Sequence, residues 1–399
     1  MTGTTIDHMI STTVFITAIL LFVGLFSQTI QSAVLYQQNR HVSLKASDLI
    51  DSILLSPGYP YSWGITNENL SLFGLQKPKA TGYTISSFAL MRLVSLEDPV
   101  EYPRDSGEYY NNVSIGTGGY LFIPVGDCIT YETASMLLGI NGTYGFQLSI
   151  KPILEVLTSV HQSNPLILKV QVKGPGSSLG GAALSYYMFQ GCTRGGHIST
   201  EMETGNAVAD AAGVAYLEFP LLDGEEDSYT VVVLAELGGL RGFGRFSHAT
   251  FTRGAGVMPF VADYENGKIF LAHSWDVQDQ GPPEPNLEFN ATFFMLSEEM
   301  EFEELEIENA TGSLNYGTSK NYEITTLPVA NPGFLLVTFR WNQEVGMNIM
   351  PWGIGTLAAS VTFGGQPSDN VWTAVDMRQA TVDLVGYQAT IICWRLEGY

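Results

Sequence analysis

Positive charge is scarce in this sequence: 18 Lys and Arg stand against 40 Asp and Glu in 399 residues, for a formal charge of −22. A surface that acidic repels phosphate backbones, which sets nucleic acid aside as a partner. Charged residues of both signs make up only 15%, against ~25% in ordinary soluble domains. A coiled coil or long soluble helical bundle, rich in Glu, Lys and Leu, is thereby excluded. Wholesale disorder is excluded too, because 45% of the residues are apolar and can form cores. Cysteine is sparse. Cys128, Cys192 and Cys393 allow at most one bridge, and no CxxC or Cys/His cluster offers a metal site. A Cys128–Cys192 bridge stays open in an oxidising compartment. Cys393, inside the apolar run Ala389–Trp394, reads as a buried thiol.

Catalytic motifs are missing as well. No GxxxxGK[ST] occurs, and Gly238–Gly244 follows a strand pattern with no helix after it. That stretch reads as a tight hairpin, with Arg241 and Phe243 offered to a partner. The six histidines do not fall at H-E-x-x-H spacing. Gly176–Gly180 matches G-x-S-x-G around Ser178, but a nucleophile elbow needs alternating strands and helices. Only strands surround it, so a Gly/Ser loop is expected. From Glu298 to Glu308 seven glutamates interleave with Met300, Phe302, Leu305 and Ile307. This predicts a solvated strand face with a bulge at Glu303-Glu304, and no D-x-D-x-D-G loop marks a calcium site. The expectation is a protein with no catalytic residues, no cofactor and no resident metal.

What the sequence does hold is a long apolar run. Met9 to Asn39 carries no charge, and Val14, Phe15, Ile16, Ile19, Leu20, Leu21, Phe22, Val23, Gly24, Leu25 and Phe26 form its densest part. As a helix, Met9–Phe26 spans about 27 Å, close to the hydrocarbon thickness of a bilayer. A cleaved signal would want basic residues before the run and small ones after it; Met1–His8 has no Lys or Arg, and no small-x-small site follows Phe26. Membrane lipid is therefore the first expected partner. Ile30, Val34, Val42, Ala46, Leu49 and Ile53 continue at helical spacing without Pro or Gly until Ser56-Pro57. Five N-x-S/T sequons follow, at Asn69, Asn112, Asn141, Asn290 and Asn309, which as glycan acceptors favour an extracellular location for everything after the span.

Beyond the helix the pattern changes. Phe88–Leu93 and Tyr131–Gly139 read as helices, the second capped by Thr130 or Asp127 and ended by Gly139. Phe146–Ile150 alternates as a strand does. Short strand patterns bounded by Gly-rich turns then run from Ile167 to Ala235, the signature of an immunoglobulin-like sandwich. Strand candidates at Asn290–Leu296, Phe302–Ile307, Tyr322–Leu327, Phe334–Trp341, Leu357–Phe363 and Tyr387–Trp394 predict a second sandwich packed on the first, joined through Gly281–Pro285. The reading is mainly β with a long N-terminal helix. Its units are a transmembrane and stalk helix (1–56), a small α+β head (57–160), one sandwich (161–250) and another (251–399).

Three stretches carry a resemblance. Leu54–Gly64 (LLSPGYPYSWG), Leu72–Leu75 (LFGL) and Tyr131–Ile150, which ends in YGFQLSI, follow the apolar helix in that order. Over about residues 9–155 this resembles archaeal type IV pilin-like surface proteins. The resemblance implies a membrane-inserted or filament-forming helix, a pilin-like head outside the cell, and copies of the chain or related subunits as partners. In that family the leader carries a basic residue before its processing site. Met1–His8 carries none, and a cut after Gly3 would place His8 at the fifth position. Gly176–Ala182 and Asp210–Leu217 are similar to carboxypeptidase-regulatory-like or bacterial immunoglobulin-like modules, which act as spacers or adhesion units. The functional expectation is a structural or adhesive surface protein assembling through its helix. The alternative is an anchored receptor that binds glycans or proteins and never polymerises.

Overall fold

The chain opens with helix α1, Gly3–Leu54, 52 residues long and about 78 Å from end to end. The computed structural model describes residues 3–93, 99–103, 105–112, 121–225, 227–248, 256–274, 287–299, 301–314, 322–329, 331–341, 344–353 and 360–396. From Asp7 to His41 the side chains of α1 are exposed, Asn39 alone being half-buried. Val42, Ala46, Leu49, Ile50, Ile53 and Leu54 are buried. Their three- and four-residue spacing puts them in one stripe, and Pro57 stops the helix just beyond.

That stripe packs on a five-stranded sheet in the order Thr84–Ile85, Thr373–Val382, Val385–Arg395, Tyr144–Pro152, Val361–Gly364. Alternation drives the packing: Tyr387, Ala389 and Ile391 are buried between half-buried neighbours. An ion-pair cluster locks helix to sheet. Arg378 Nε and Nη2 reach the two Asp51 carboxylate oxygens at 2.8 and 3.1 Å, and Nη1 reaches Asp376 at 2.8 Å. Tyr83 donates its hydroxyl to Asp51 at 2.9 Å. The Arg378 hydrogen bond holds the Asp51 carboxyl below the usual carboxylate range. A depressed acid stabilises the fold above its unfolded pKa of about 3.9 and loses that contribution as the pH falls through its folded value. Because Asp51 is partly exposed, Arg378→Ala should cost only about 1 kcal/mol at pH 7. Urea melts should show that loss shrinking by pH 3.

The first sandwich follows. Glu155–Gln162, Leu166–Gly174 and Val214–Phe219 form one sheet, with Ser177–Ser178 at its edge. Ala183–Arg194, His197–Val208, Tyr229–Leu237 and Leu240–His248 form the other. Leu166, Leu168, Val170 and Val172 interleave with half-buried residues and meet Leu217, Val231 and Val233 in the core. Seven strands split three and four make an immunoglobulin-like sandwich. Gly238 and Gly239, at φ 59° and 82°, turn the expected hairpin. Gly242 and Gly244 are required for another reason: a Cβ on either would lie 2.5 Å from the carbonyl oxygen of Leu154 or Val156.

The second sandwich draws from two parts of the chain. Its six-stranded sheet runs Tyr322–Thr326, Lys268–His273, Val257–Asp263, Phe122–Pro124, Tyr109–Asn112, Val100–Glu101. Facing it are Phe302–Leu305, Leu287–Leu296, Gly333–Trp341 and Glu344–Trp352, with Thr311–Leu314 added on Leu287–Leu296. Val257, Val261, Ile269, Phe289, Phe293 and Val337 lie in its core. The two sandwiches then pack face to face, as expected. Tyr229–Ala235 is buried on both faces, with Val231 and Val233 inward and Val232 and Leu234 toward the neighbour. Phe189 meets Phe294 at 4.7 Å and Phe334 at 5.6 Å between ring centres, and Phe302 meets Phe334 at 4.9 Å.

These pairings correct the linear division of the chain. Residues 57–160 do not close on themselves: their strand Tyr144–Pro152 pairs with Val385–Arg395, from the far end of the sequence. Phe122–Pro124 joins Val257–Asp263 in the second sandwich. Tyr387–Trp394 belongs beside the helix and not in the second sandwich. The physical reason is that alternation marks a strand without naming its partner. The Glu303-Glu304 bulge is also absent, since Phe302–Leu305 pairs in continuous register with Phe293–Leu296. Two exposed neighbours arise there because this strand lies at a sheet edge.

Helix α2 (Ser87–Met91) and helix α3 (Tyr131–Leu137) complete the body. Thr130, and not Asp127, caps α3 by accepting from Thr133 N. The PGYPYSWG turn wraps around Trp63, which is buried and donates Nε1 to Gly74 O at 2.9 Å. A Cβ on Gly74 would lie 2.2 Å from Ser56 O, so glycine is required at that crossing. Over Trp63 lies Arg92, only 4% exposed and 5.4 Å from the ring centre.

Candidate functional site

The feature built for contact with something outside the chain is the projecting part of α1. Val14, Phe15, Ile16, Ile19, Leu20, Leu21, Phe22, Val23, Leu25 and Phe26 are each 45–69% exposed, and an added Cβ at Gly24 would meet nothing within 4 Å. They cover every side of the helix, and a helix apolar all round is one that another phase or protein must cover. At about 1.5–3 kcal/mol per large apolar side chain, covering these ten amounts to roughly 15–30 kcal/mol. The segment is long and apolar enough to cross a membrane.

Its polar groups suit hydrocarbon as well. Thr12, Thr13, Thr17 and Thr29 donate their hydroxyls to the carbonyls of His8, Met9, Thr13 and Leu25, one turn back, at 2.7–2.9 Å. The hydroxyls are thereby satisfied within the helix, as a lipid environment demands. Ser27–Gln31 form a polar belt after the apolar segment, and Arg40 is the first cation beyond it. A polar belt and then a cation at the end of a span match the headgroup side of a bilayer.

The other expected residues lie on the body. Asn69, Asn112 and Asn141 are exposed. Asn290 is not available as a glycan acceptor: it is half-buried in the middle of Leu287–Leu296, and its Nδ2 donates to Ile198 O at 3.4 Å. Asn309 is exposed, but its Nδ2 already donates to Ile324 O at 2.7 Å. Expression in a glycosylating host should therefore give glycopeptides at Asn69 and Asn141 and none at Asn290 by mass spectrometry. No Cys128–Cys192 bridge forms, and all three thiols are free. Cys128 Sγ lies 3.7 Å from Asn111 Nδ2, whereas Cys192 Sγ lies 3.1 Å from Ser199 Oγ in the other sandwich. Burial pushes the Cys128 and Cys393 thiols up to about 11. Ser178 is exposed, with Gln171 Nε2 at 3.4 Å as its side-chain partner. Phe243 is buried between the sandwiches, 6.2 Å from Phe302, and so is not offered to a partner. Arg241 pairs with Glu236 at 3.6 Å. Among the described residues no cluster of three His, Cys, Asp or Glu could hold a metal. Gly281–Pro285 and Met300 lie outside the described residues.

Two functional groups escaped the sequence reading. Arg378 and Asp51 are 327 positions apart, and Arg92 reads as one more polar residue on a short helix. Only its place in an apolar stretch, FALMRLV, hinted that it is buried.

No known protein family and no curated protein matches the chain. Among solved structures it is similar to a two-domain fibronectin type III segment of chicken tenascin, at 13% identity over 51% of this chain and 99% of that one, with a TM-score of 0.16. It is similar to Escherichia coli alpha-2-macroglobulin activated by porcine elastase, at 10% identity, 58% and 23% coverage and a TM-score of 0.18. An I-band fragment of titin follows at 8%, 63% and 89%, with a TM-score of 0.14. Superpositions at those scores carry no argument, and the sandwich assignment rests on strand pairing instead.

Proposed function

We propose that this chain is a membrane-anchored surface protein of structural or adhesive function, held by α1 and displaying its β-sandwich body outside the cell. The observation that carries the reading is the burial switch in α1: apolar from Val14 to Phe26 and bare up to His41, then sewn into a sheet from Val42 onward. A soluble protein gains nothing by exposing such a rod. Membrane lipid, or the same helix of other copies packed against Ala18, Gly24 and Ala33, would cover it. The pilin-like resemblance of residues 9–155 favours lateral assembly, with the long helix as the filament core and the sandwiches outside. No catalytic, cofactor or metal role enters this reading.

The test is fractionation of cells producing the full chain, followed by negative-stain microscopy of detergent-free material. Retention in the membrane pellet after alkaline extraction is expected, together with filaments that label with antibody to the body. A freely soluble monomer would overturn the anchor. Membrane retention without filaments would leave a permanently anchored ectodomain and remove the assembly part.

A further inference from the structure

Where α1 gives way to the body, a cavity of about 450 Å3 lies between the PGYPYSWG turn, α2 and the Thr373–Arg395 hairpin. That is within the 300–1,000 Å3 typical of small-molecule sites. Its walls are largely apolar and aromatic, with Pro57, Tyr61, Trp63, Ile65, Pro78 and Phe88 among them. Three charged groups converge on it: Asp383, Lys77 and Lys79. The lysines are exposed, and two cations at one apolar cavity stand out in a chain with only 18.

Asp383 is the unusual member. It and Leu384 form the two-residue turn that joins Val382 to Val385, at φ 43° and 70°. That turn favours Asn and Gly. A leucine held in the left-handed region costs about 1–2 kcal/mol, and such strain points toward a functional constraint. The residue is half-exposed as a whole, yet its Oδ2 is buried and has no hydrogen-bond partner. Burial raises its pKa to about 6, against the opposing pull of nearby Ser87 and Lys77. An unpaired buried acceptor costs about 1–3 kcal/mol, so the fold leaves the hydrogen bonding of this carboxyl incomplete. Asp383 also forms part of the cavity wall, where its other carboxylate oxygen is the acceptor open to a ligand's donor.

We propose that this cavity binds a small aromatic anion carrying an N–H or O–H donor. The ring lies among Tyr61, Trp63 and Phe88, the donor meets Asp383, and the acidic group faces Lys77 and Lys79. Neither the anchor nor assembly is needed for this, so the two readings fail separately.

Indole-3-acetate has the three required parts and serves as the probe. Its binding to the full chain in lipid nanodiscs is read by saturation-transfer NMR, with empty nanodiscs subtracted. Saturable binding is expected. Ser62→Trp, which fills the cavity from its half-buried rim, should abolish it, and Lys77→Glu with Lys79→Glu should weaken it at least tenfold. Asp383→Ala removes the acceptor altogether and should weaken indole-3-acetate about tenfold. The same substitution should leave 1-naphthaleneacetate, which lacks the N–H, within twofold. Circular dichroism checks that Ser62→Trp folds; if it does not, the exposed lysine pair decides. A non-saturable signal, or binding indifferent to both the filled cavity and the reversed lysines, overturns the proposal.

Discussion

A chain lacking residues 1–38 should leave the membrane pellet entirely and sediment as a soluble, folded body. The cut removes every large apolar side chain of Met9–Leu35 and spares Val42, Ala46, Leu49, Ile50, Ile53 and Leu54, which fill the sheet-facing stripe. Partition of the intact helix is worth roughly 15–30 kcal/mol from its ten core side chains alone, so its loss is all or nothing in a fractionation assay. The remaining stub keeps the Asp51–Arg378 pairing. Its melting temperature should therefore match that of the full chain in detergent to within a few degrees. Recovery of the shortened chain in the pellet would show that the body itself holds the membrane and would sink the anchor.

The largest effect of a single substitution is expected at Arg92. Its Nε donates to Asp127 O at 2.6 Å, and Nη1 donates to Thr66 O at 3.0 Å and to the Trp63 carbonyl. Nη2 lies 3.8 Å from the Asp127 carboxylate, and the guanidinium sits 5.6 Å from the Tyr264 ring of the second sandwich. One cation therefore ties the post-helix turn to the second sandwich. Arg92→Met keeps the stem but strands three carbonyls and a half-buried carboxylate, a loss of about 3 kcal/mol. Arg92→Lys keeps the charge without the fork and should fall between the two.

The pH dependence gives a second readout of the same residue. Burial already raises the Asp127 carboxyl, and Arg92 is the group that lowers it. An acid raised on folding penalises the native state while ionised, and the penalty fades as the pH falls through its folded pKa. The Arg92→Met deficit, measured by denaturant titration, should thus be smaller at pH 4 than at pH 7. A deficit independent of pH would place the loss in packing and the stranded carbonyls alone.

Local features were readable in advance because their causes are local. The Thr130 cap, the Gly238-Gly239 hairpin and the alternation of Leu166–Val172 each depend on residues a few positions apart. Cross-strand partners were not readable. Tyr144–Pro152 alternates the same way whether it pairs with a neighbour or with Val385–Arg395, and sequence distance carries no trace of the choice. Asn290 shows the same limit at a single residue. Its sequon is intact, but a docked sandwich occupies the space a glycan would need. Asp383 went unread because nothing in VDLV says that its carboxyl is turned inward.

By itself the sequence determined a long helix at the front with an uncharged run from Met9 to Asn39, an acidic β-rich body and the absence of the familiar catalytic spacings. These follow from composition and period, which the chain carries without folding. Only the tertiary structure decided that the helix goes bare up to His41 and is buried after it. It alone closed the body with strands from both ends of the chain and placed Arg92 and one carboxylate oxygen of Asp383 out of water. Burial and pairing depend on which surfaces meet, and distant residues settle that only when the whole chain has packed.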